Sequence, residues 1–450
     1  MNLGFDAEQL RVLNWRASTK DIAAVIGPPG CGKTTVGSAL AIKMVAEGLA
    51  NRVLLVAYTN AAANEFCLEL CDMLGSKVAK SLCLRTGNPT GVDPSIPIPF
   101  SRSANEIQEK RIIISTNLSL KKLPSLMRFD NMIIDEAGVE RLEHLLWPLW
   151  FGVNNRIAQQ CKSEYHTSAA DMSAQNHSKI DDLIELISRC GTVATVVGDP
   201  KQSRPISPVR VDYSAIEWVI KRSRCDTLRI SHRLPDRLSG LVNEFAEYDG
   251  LKSAPEIGSR RLVLDCRPDM EFREIIQPDE VTTWVDISGN EQPMGPSSWA
   301  NDMEAKACAK ICSHLISITR GKSIAVITRF SAQKLTIRTY LQRMGHADIK
   351  VTTTTGALGT QADIVLFSLV RNNPERNIGA AGTLQDLNVA ISRSKEKLII
   401  LGNFDMMLNG WAGSASANGR HYYKSPARNL ARLIDSKYGR VVDAPQMTVC

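Results

Sequence analysis

No pair of cysteines stands at C-x-x-C spacing in this 450-residue chain, although 11 cysteines are present. Without such a pair a zinc site or a dithiol redox motif has no starting point, so zinc is not expected. Long apolar runs are missing as well: none approaches the roughly 18 residues of a membrane span. The amino terminus, MNLGFDAEQLRVLNWRAS, has no basic segment leading into an apolar stretch, and so shows no secretory leader. The expectation is a soluble, intracellular protein, cytoplasmic or nuclear, with no membrane partner. Neither sign of charge dominates. Against 54 Lys and Arg stand 47 Asp and Glu, a formal net charge of +7, which suits a polyanionic partner without demanding one. No internal repeat is evident. Cys67 with Cys71, and Cys308 with Cys312, lie four apart on stretches of helical character, so each pair shares a helical face. Reduced thiols in packed helices are expected there.

What the chain does have is apolar substance: 44% hydrophobic residues, enough for two or three buried cores. Short β-branched runs recur with glycine or turn signals after them: DIAAVIGPPG, RVLLVAYTN, RIIISTN, NMIIDEAG and TVATVVGDP, then SIAVITRF, DIVLFSLV and KLIILGN. Separated by helical lengths, such runs predict buried parallel strands with crossover helices, an α/β fold. Five runs precede Pro200 and three follow Gly321, with a polar, irregular stretch around 250–300 between them. The expected domains are 1–223 and 224–410, divided near Arg224, followed by a basic tail over 411–450. A polar stretch at 153–185 reads as an excursion from the first domain. In the tail, Arg420, Lys424, Arg428 and Arg432 are spaced by fours, which predicts one helical face.

Gly27-Pro28-Pro29-Gly30-Cys31-Gly32-Lys33-Thr34 matches G-x-x-x-x-G-K-[ST] and sits between an apolar run and a helix-like stretch. Such a loop cradles phosphates with backbone N–H groups. Lys33 is placed to neutralise β and γ oxygens, the Thr34 hydroxyl to hold magnesium, and Thr35 to continue the contact into the helix. This implies ATP and Mg2+ as cofactors. A second carboxylate for the metal and a group to orient water are then needed, and MIIDEAG supplies Asp135 and Glu136 at a strand end. In VVGDPKQ, Gln202 is placed to bond the γ-phosphate or the water, while Asp199 and Lys201 read as turn and surface.

Taken in order, GPPGCGKT, DEAG, GDPKQ, SHRLP, TTGALGTQAD and LNVAISRSK resemble the motifs of superfamily-one helicases, in the Upf-like and Sen-like branch that includes the nonsense-mediated-decay helicase. The resemblance covers about residues 5–403. It implies two RecA-like P-loop NTPase domains with parallel sheets, ATP held in the cleft between them and a single strand bound across the top. It also implies Gln9 as the adenine-reading glutamine, Arg233 as a trans-acting arginine and Arg393 as the arginine finger. Phe330 then stands at the adenine-stacking aromatic. Thr59, Asn60, Thr116, Arg204, Pro205, Thr328 and Thr355 become candidates for contact with phosphate and sugar, a contact that carries no base information.

Three departures qualify the match. In T-T-T-x-x-L-G-x-Q-x-D, Thr355, Leu358 and Gln361 replace the aspartate, glutamine and glutamate of the fifth motif, with Gln361 still able to bond a ribose hydroxyl. Asp386 stands where the sixth motif often has arginine. The chain begins almost at Gln9, so the β-barrel module that branch members often carry before this point is expected to be missing, and a full strand-separating apparatus is expected only if a partner or a longer parent polypeptide supplies it. The reading is an ATP-hydrolysing motor on single-stranded nucleic acid, RNA ahead of DNA. The alternative is an NTP-dependent clamp that grips without unwinding.

Overall fold

The computed structural model describes residues 4–124, 127–153, 182, 184, 187, 191–202, 214–416 and 419–444, and at 380, 413–416 and 419–424 the backbone alone. The chain divides into two compact units, Met1–Arg229 and Ile230–Cys450. The excursion expected at 153–185 lies almost wholly outside the described residues.

In the first unit the charge-free, β-branched runs become strands: β1 (Ile22–Ile26), β2 (Val53–Ala57), β4 (Ile112–Thr116), β5 (Asn131–Ile134) and β6 (Ala194–Gly198). Two short strands, β3 (Cys83–Arg85) and β7 (Cys225–Thr227), extend the edges. All pairings are parallel, in the order β3-β4-β2-β5-β6-β1-β7. A parallel sheet needs cover on both faces, and four of the five inner strands, β2, β4, β5 and β6, are buried along their whole length. Arg16, fully buried on the helix Ala7–Ser18, ties that helix to the sheet: it donates to Asp21, Thr195 Oγ1 and the Ala194 carbonyl.

The second unit contains β8 (Ile230–Ser231), β9 (Lys252–Ser253), β10 (Thr282–Asp286), β11 (Gln292–Pro293), β12 (Trp299–Ala300), β13 (Ile324–Thr328), β14 (Lys350–Thr353), β15 (Ala362–Ser368), β16 (Ser394–Gly402), β17 (Trp411–Ser416), β18 (Gly419–Lys424) and β19 (Arg440–Asp443). Its main sheet, β14-β13-β15-β16-β10-β19, is also parallel. β10 lies inside the stretch expected to be irregular. Its polar spelling hides its burial: Thr283 Oγ1 accepts from the buried Lys397 ammonium at 2.9 Å, and Trp284 Nε1 donates to the Gly402 carbonyl at 2.9 Å. Burial also pulls the Lys397 ammonium down to about 7.

The tail departs from expectation. β17 and β18 form an antiparallel hairpin carrying Arg420 and Lys424, and only Arg428 and Arg432 share a helix, Pro426–Leu433. The helix starts there because Ser425 caps it and proline fits its first position. β19 then joins the main sheet beside β10, so residues 440–443 belong to the second unit rather than to a separate tail. Cys67, Cys308 and Cys312 are buried in packed helices. Among the described residues no helix is long and apolar enough to cross a membrane.

Where β15 ends, Val370 is held at φ 73°, a left-handed conformation that costs a β-branched residue about 1–3 kcal/mol. Its amide donates to both oxygens of Glu304 at 2.9 and 3.1 Å, and Ser368 Oγ donates to the same carboxyl at 2.7 Å. Burial pushes Glu304 up to about 8, against those donors. Between about pH 4.5 and 8 the folded chain therefore holds a proton that the unfolded chain has released, and stability falls as pH rises through that window. The slope is at most about 1.4 kcal/mol per pH unit. Glu304→Gln is expected to flatten this part of the stability–pH curve, measured by denaturant unfolding from pH 5 to 8. An unaltered slope would refute a buried, protonated Glu304.

Candidate functional site

The loop between β1 and the helix Lys33–Ala46 turns sharply enough to need a left-handed residue at its end, and Gly32 supplies it at φ 75°. A Cβ there would meet Gln9 Nε2 at 2.6 Å. Gln9 is almost fully buried, donates to the Cys31 carbonyl at 3.3 Å and closes the capping box with Asp6. The expected adenine-reading residue is thus fixed against the phosphate loop. Lys33 Nζ donates to the Gly27 carbonyl at 2.7 Å, and the loop Gly27–Gly32 wraps its side chain. Pro28, Pro29 and Gly30 complete that loop, whose Cys31 thiol is buried and pushed up by burial. Thr35 Oγ1 turns away, donating to Glu69 at 3.1 Å.

Thr34 and Asp135, 101 residues apart, meet directly: Thr34 Oγ1 donates to Asp135 Oδ2 at 2.9 Å. Asp135 is buried, and burial raises its carboxyl against the pull of Lys33, the Glu136 amide and the Thr34 hydroxyl. A buried carboxylate and a hydroxyl side by side, below a glycine cradle and an ammonium, fit Mg2+ and a nucleotide triphosphate. Glu136 adopts φ 57°. This left-handed turn follows directly on Asp135, whose Oδ1 accepts from the Glu136 amide at 2.7 Å. Tyr58 lies close enough to Glu140 and Glu136 that their charges add to burial in raising its phenol.

The DEAG loop is held by the GDPKQ loop. Ala137 N donates to the Val197 carbonyl and Gly27 N to the Gly198 carbonyl, both at 3.0 Å, and a Cβ on Gly138 would meet the Asp199 carbonyl at 2.5 Å. Asp199 organises its own turn, accepting from Lys201 N and Gln202 Nε2, each at 2.9 Å. Gln202 is held by that contact beside the DEAG loop. Arg204 and Pro205 lie outside the described residues.

Other candidates stand at the carboxyl ends of β2 and β4, which pair with Ala57 opposite Thr116. Thr59 caps the helix Asn60–Leu74 through Ala62 N. Asn60 Oδ1 accepts from Arg85 Nη2 at 2.9 Å, and Thr116 Oγ1 meets Ser119 Oγ at 2.8 Å. Two partners lack a motif and so escaped sequence reasoning. Arg85 is buried, and burial lowers its pKa. Glu140 joins Asn117 Nδ2 at 2.9 Å and His144 Nδ1 at 2.7 Å.

In the second unit, Arg233 Nε donates to Gln361 Oε1 at 3.1 Å and Arg233 Nη1 to the Ser392 carbonyl at 3.3 Å. Arg393 follows Ser392, is 4% exposed and donates to the Val389 carbonyl. Arg233, Gln361 and Arg393 are therefore gathered where β15 and β16 begin. Two placements differ from expectation. The Phe330 ring packs edge-on against Trp299, centroids 5.2 Å apart, and is 5% exposed rather than an open stacking face. Thr328 is fully buried, because β13 is flanked by β14 and β15. Thr355, half-buried, opens the short turn Thr355–Ala357.

The parallel sheets, glycine cradle and Thr34–Asp135 pair define a P-loop NTPase. Two family models, each described as an AAA domain, match residues 4–108 and 211–405. The Neurospora crassa regulator of nonsense transcripts 1 homolog is 25% identical over 85% of this chain and 36% of its own length. The Saccharomyces cerevisiae ATP-dependent helicase NAM7 is 25% identical over 85% of this chain and 40% of its own. The Schizosaccharomyces pombe DNA polymerase alpha-associated DNA helicase A is 23% identical over 89% of this chain and 64% of its own. The chain belongs to the superfamily-one helicases of the Upf-like type. It spans less than two thirds of the length of these curated relatives.

Gly138→Ala tests the spacing of the two loops. Forcing a methyl against the Asp199 carbonyl is expected to cost about 1–3 kcal/mol and to part Asp135 from Thr34. Titration with a fluorescent nucleotide should show magnesium-dependent affinity falling by about tenfold, with magnesium-free affinity falling less. Equal affinities for parent and variant would show that the spacing does not set the site.

Proposed function

We propose that the chain is an ATP-dependent motor that hydrolyses ATP while moving along single-stranded nucleic acid, RNA ahead of DNA. The observation that carries the reading is the Thr34–Asp135 contact beneath Lys33. Bound Mg2+ supplies charge neutralisation of β and γ oxygens, and Thr34 and Asp135 would hold it. Lys33 binds and orients the phosphates. Glu136 accepts the proton of the attacking water, Gln202 orients that water, and Arg233 and Arg393 stabilise charge spreading over the transferring phosphoryl group. Gln9 and Gln361 are assigned to the nucleoside end, and Phe330 is not, its ring being packed against Trp299. Thr59, Asn60, Thr116, Arg204, Pro205, Thr328 and Thr355 are assigned to the strand. Thr328 is the weakest of these, being fully buried. The names of the relatives point to transcripts in some cases and DNA in another. A partner or a longer parent polypeptide would supply a strand-separating module. A non-translocating clamp draws support from one observation: Gln361, in the altered fifth motif, is engaged by Arg233.

Purified chain is expected to hydrolyse ATP faster with poly-U or poly-dT than without, poly-U giving the larger effect. Tight binding of either polymer with no stimulation would replace the motor by the clamp. Glu136→Gln should keep nucleotide affinity and lower turnover by about 10²-fold or more, since an amide accepts no proton. Arg393→Ala should leave ground-state affinity close to the parent's and cut stimulated turnover by about 10²-fold or more. Normal stimulated turnover in the Arg393→Ala chain would remove the arginine finger from the scheme.

A further inference from the structure

The end of β13 offers strand-contacting chemistry at a residue that no motif assigns. Thr328 is fully buried, with its Oγ1 unpartnered. The next residue, Arg329, keeps 36% of its side chain exposed and pairs through Nε with Asp386 at 3.0 Å. Among the described residues Asp386 is the one polar partner of this guanidinium, so its two terminal nitrogens keep their donors. Asp386 does not depend on the arginine. Its Oδ1 accepts from Thr354 Oγ1 at 2.8 Å and its Oδ2 from Thr383 Oγ1 at 2.9 Å. The carboxylate thus anchors three segments: the end of β13, the turn after β14 and the start of the helix Leu384–Ile391.

The ion pair holds the guanidinium beside Asp386 by charge, without a hydrogen bond from Nε, and leaves the two terminal nitrogens as a planar fork that matches two phosphate oxygens. Asp386 replaces the arginine usual at its position, and Arg329 restores a cation in contact with it. Resting on the motor reading above, we propose that Arg329 is a phosphate-contacting residue for the single strand and that Asp386 is its positioning residue. Thr355, half-buried on the turn next to Thr354, then lies beside the same contact, which is to the backbone and so indifferent to base sequence.

The test is fluorescence anisotropy of labelled oligo-U and oligo-dT on the full chain, with a non-hydrolysable ATP analogue and Mg2+, over a salt series. Each phosphate contact contributes about 0.7 to the slope of log affinity against log salt for a single strand. Arg329→Gln is expected to reduce the slope by about 0.7, so that its affinity loss widens as salt is lowered. Arg329→Lys and Asp386→Asn should keep the parent's slope while weakening binding, the first by losing the fork and the second by losing its aim. If Arg329 serves only to pair with Asp386, Arg329→Gln and Asp386→Asn behave alike and neither changes the slope, which overturns the proposal. The Arg329→Lys chain answers the question if Arg329→Gln does not fold: a slope lowered by about 0.7 there overturns it, since charge is retained. A parent chain that binds neither oligonucleotide overturns this proposal together with the motor reading, whereas parent binding with an unchanged Arg329→Gln slope overturns this proposal alone.

Discussion

Two backbones can approach within hydrogen-bonding distance only where no side chain stands between them, and the nucleotide site depends on one such approach. The loop after β5 lies against the loop after β6 because residue 138 has no Cβ to meet the Asp199 carbonyl. That contact fixes where Asp135 leaves its strand, and so whether its carboxylate reaches Thr34. The same two loops carry Glu136 and Gln202. The missing methyl sets the distance between those two loops.

Electrostatics then separates the roles of neighbouring groups. Asp135 is buried and its carboxyl is raised by burial, opposed by Lys33 and by two hydrogen bonds. Glu136, one residue on, has a left-handed backbone at φ 57°, a conformation that costs on the order of 1–2 kcal/mol for a residue with a Cβ. Strain of this size persists only where surrounding contacts enforce it. Val370 in the second unit is held in the same manner by a buried carboxyl.

Eight of the nine inner strands of the two main sheets were legible because a strand buried on both faces is usually spelled in apolar, β-branched residues, and a motif at its end must follow at fixed spacing. Edge strands carry no such obligation. β3 and β7 are three residues each, and β14 reads KVTT. β10 escaped for another reason: its threonines are buried because Lys397 comes from β16 to meet one of them, a pairing 114 residues away. The phosphate loop, Asp135 and Glu136 were legible because their chemistry dictates residue types. Arg85, Glu140 and the Arg329–Asp386 pair were not, since each acts through a partner brought close only by folding. Phe330 was expected as an adenine-stacking face, but its ring packs against Trp299, which lies on a short hairpin strand with no pattern of its own.

β10 takes β16 on one side and β19 on the other, and those partners arrive 394–402 and 440–443 residues into the chain. During synthesis, strand 282–286 therefore leaves the ribosome long before either neighbour exists. Its threonines postpone the hazard of an unpaired sheet edge, for a strand spelled TTWVD is less adhesive than one spelled in valine and isoleucine. The polar spelling that concealed β10 from a reader of the sequence also conceals it from other nascent chains.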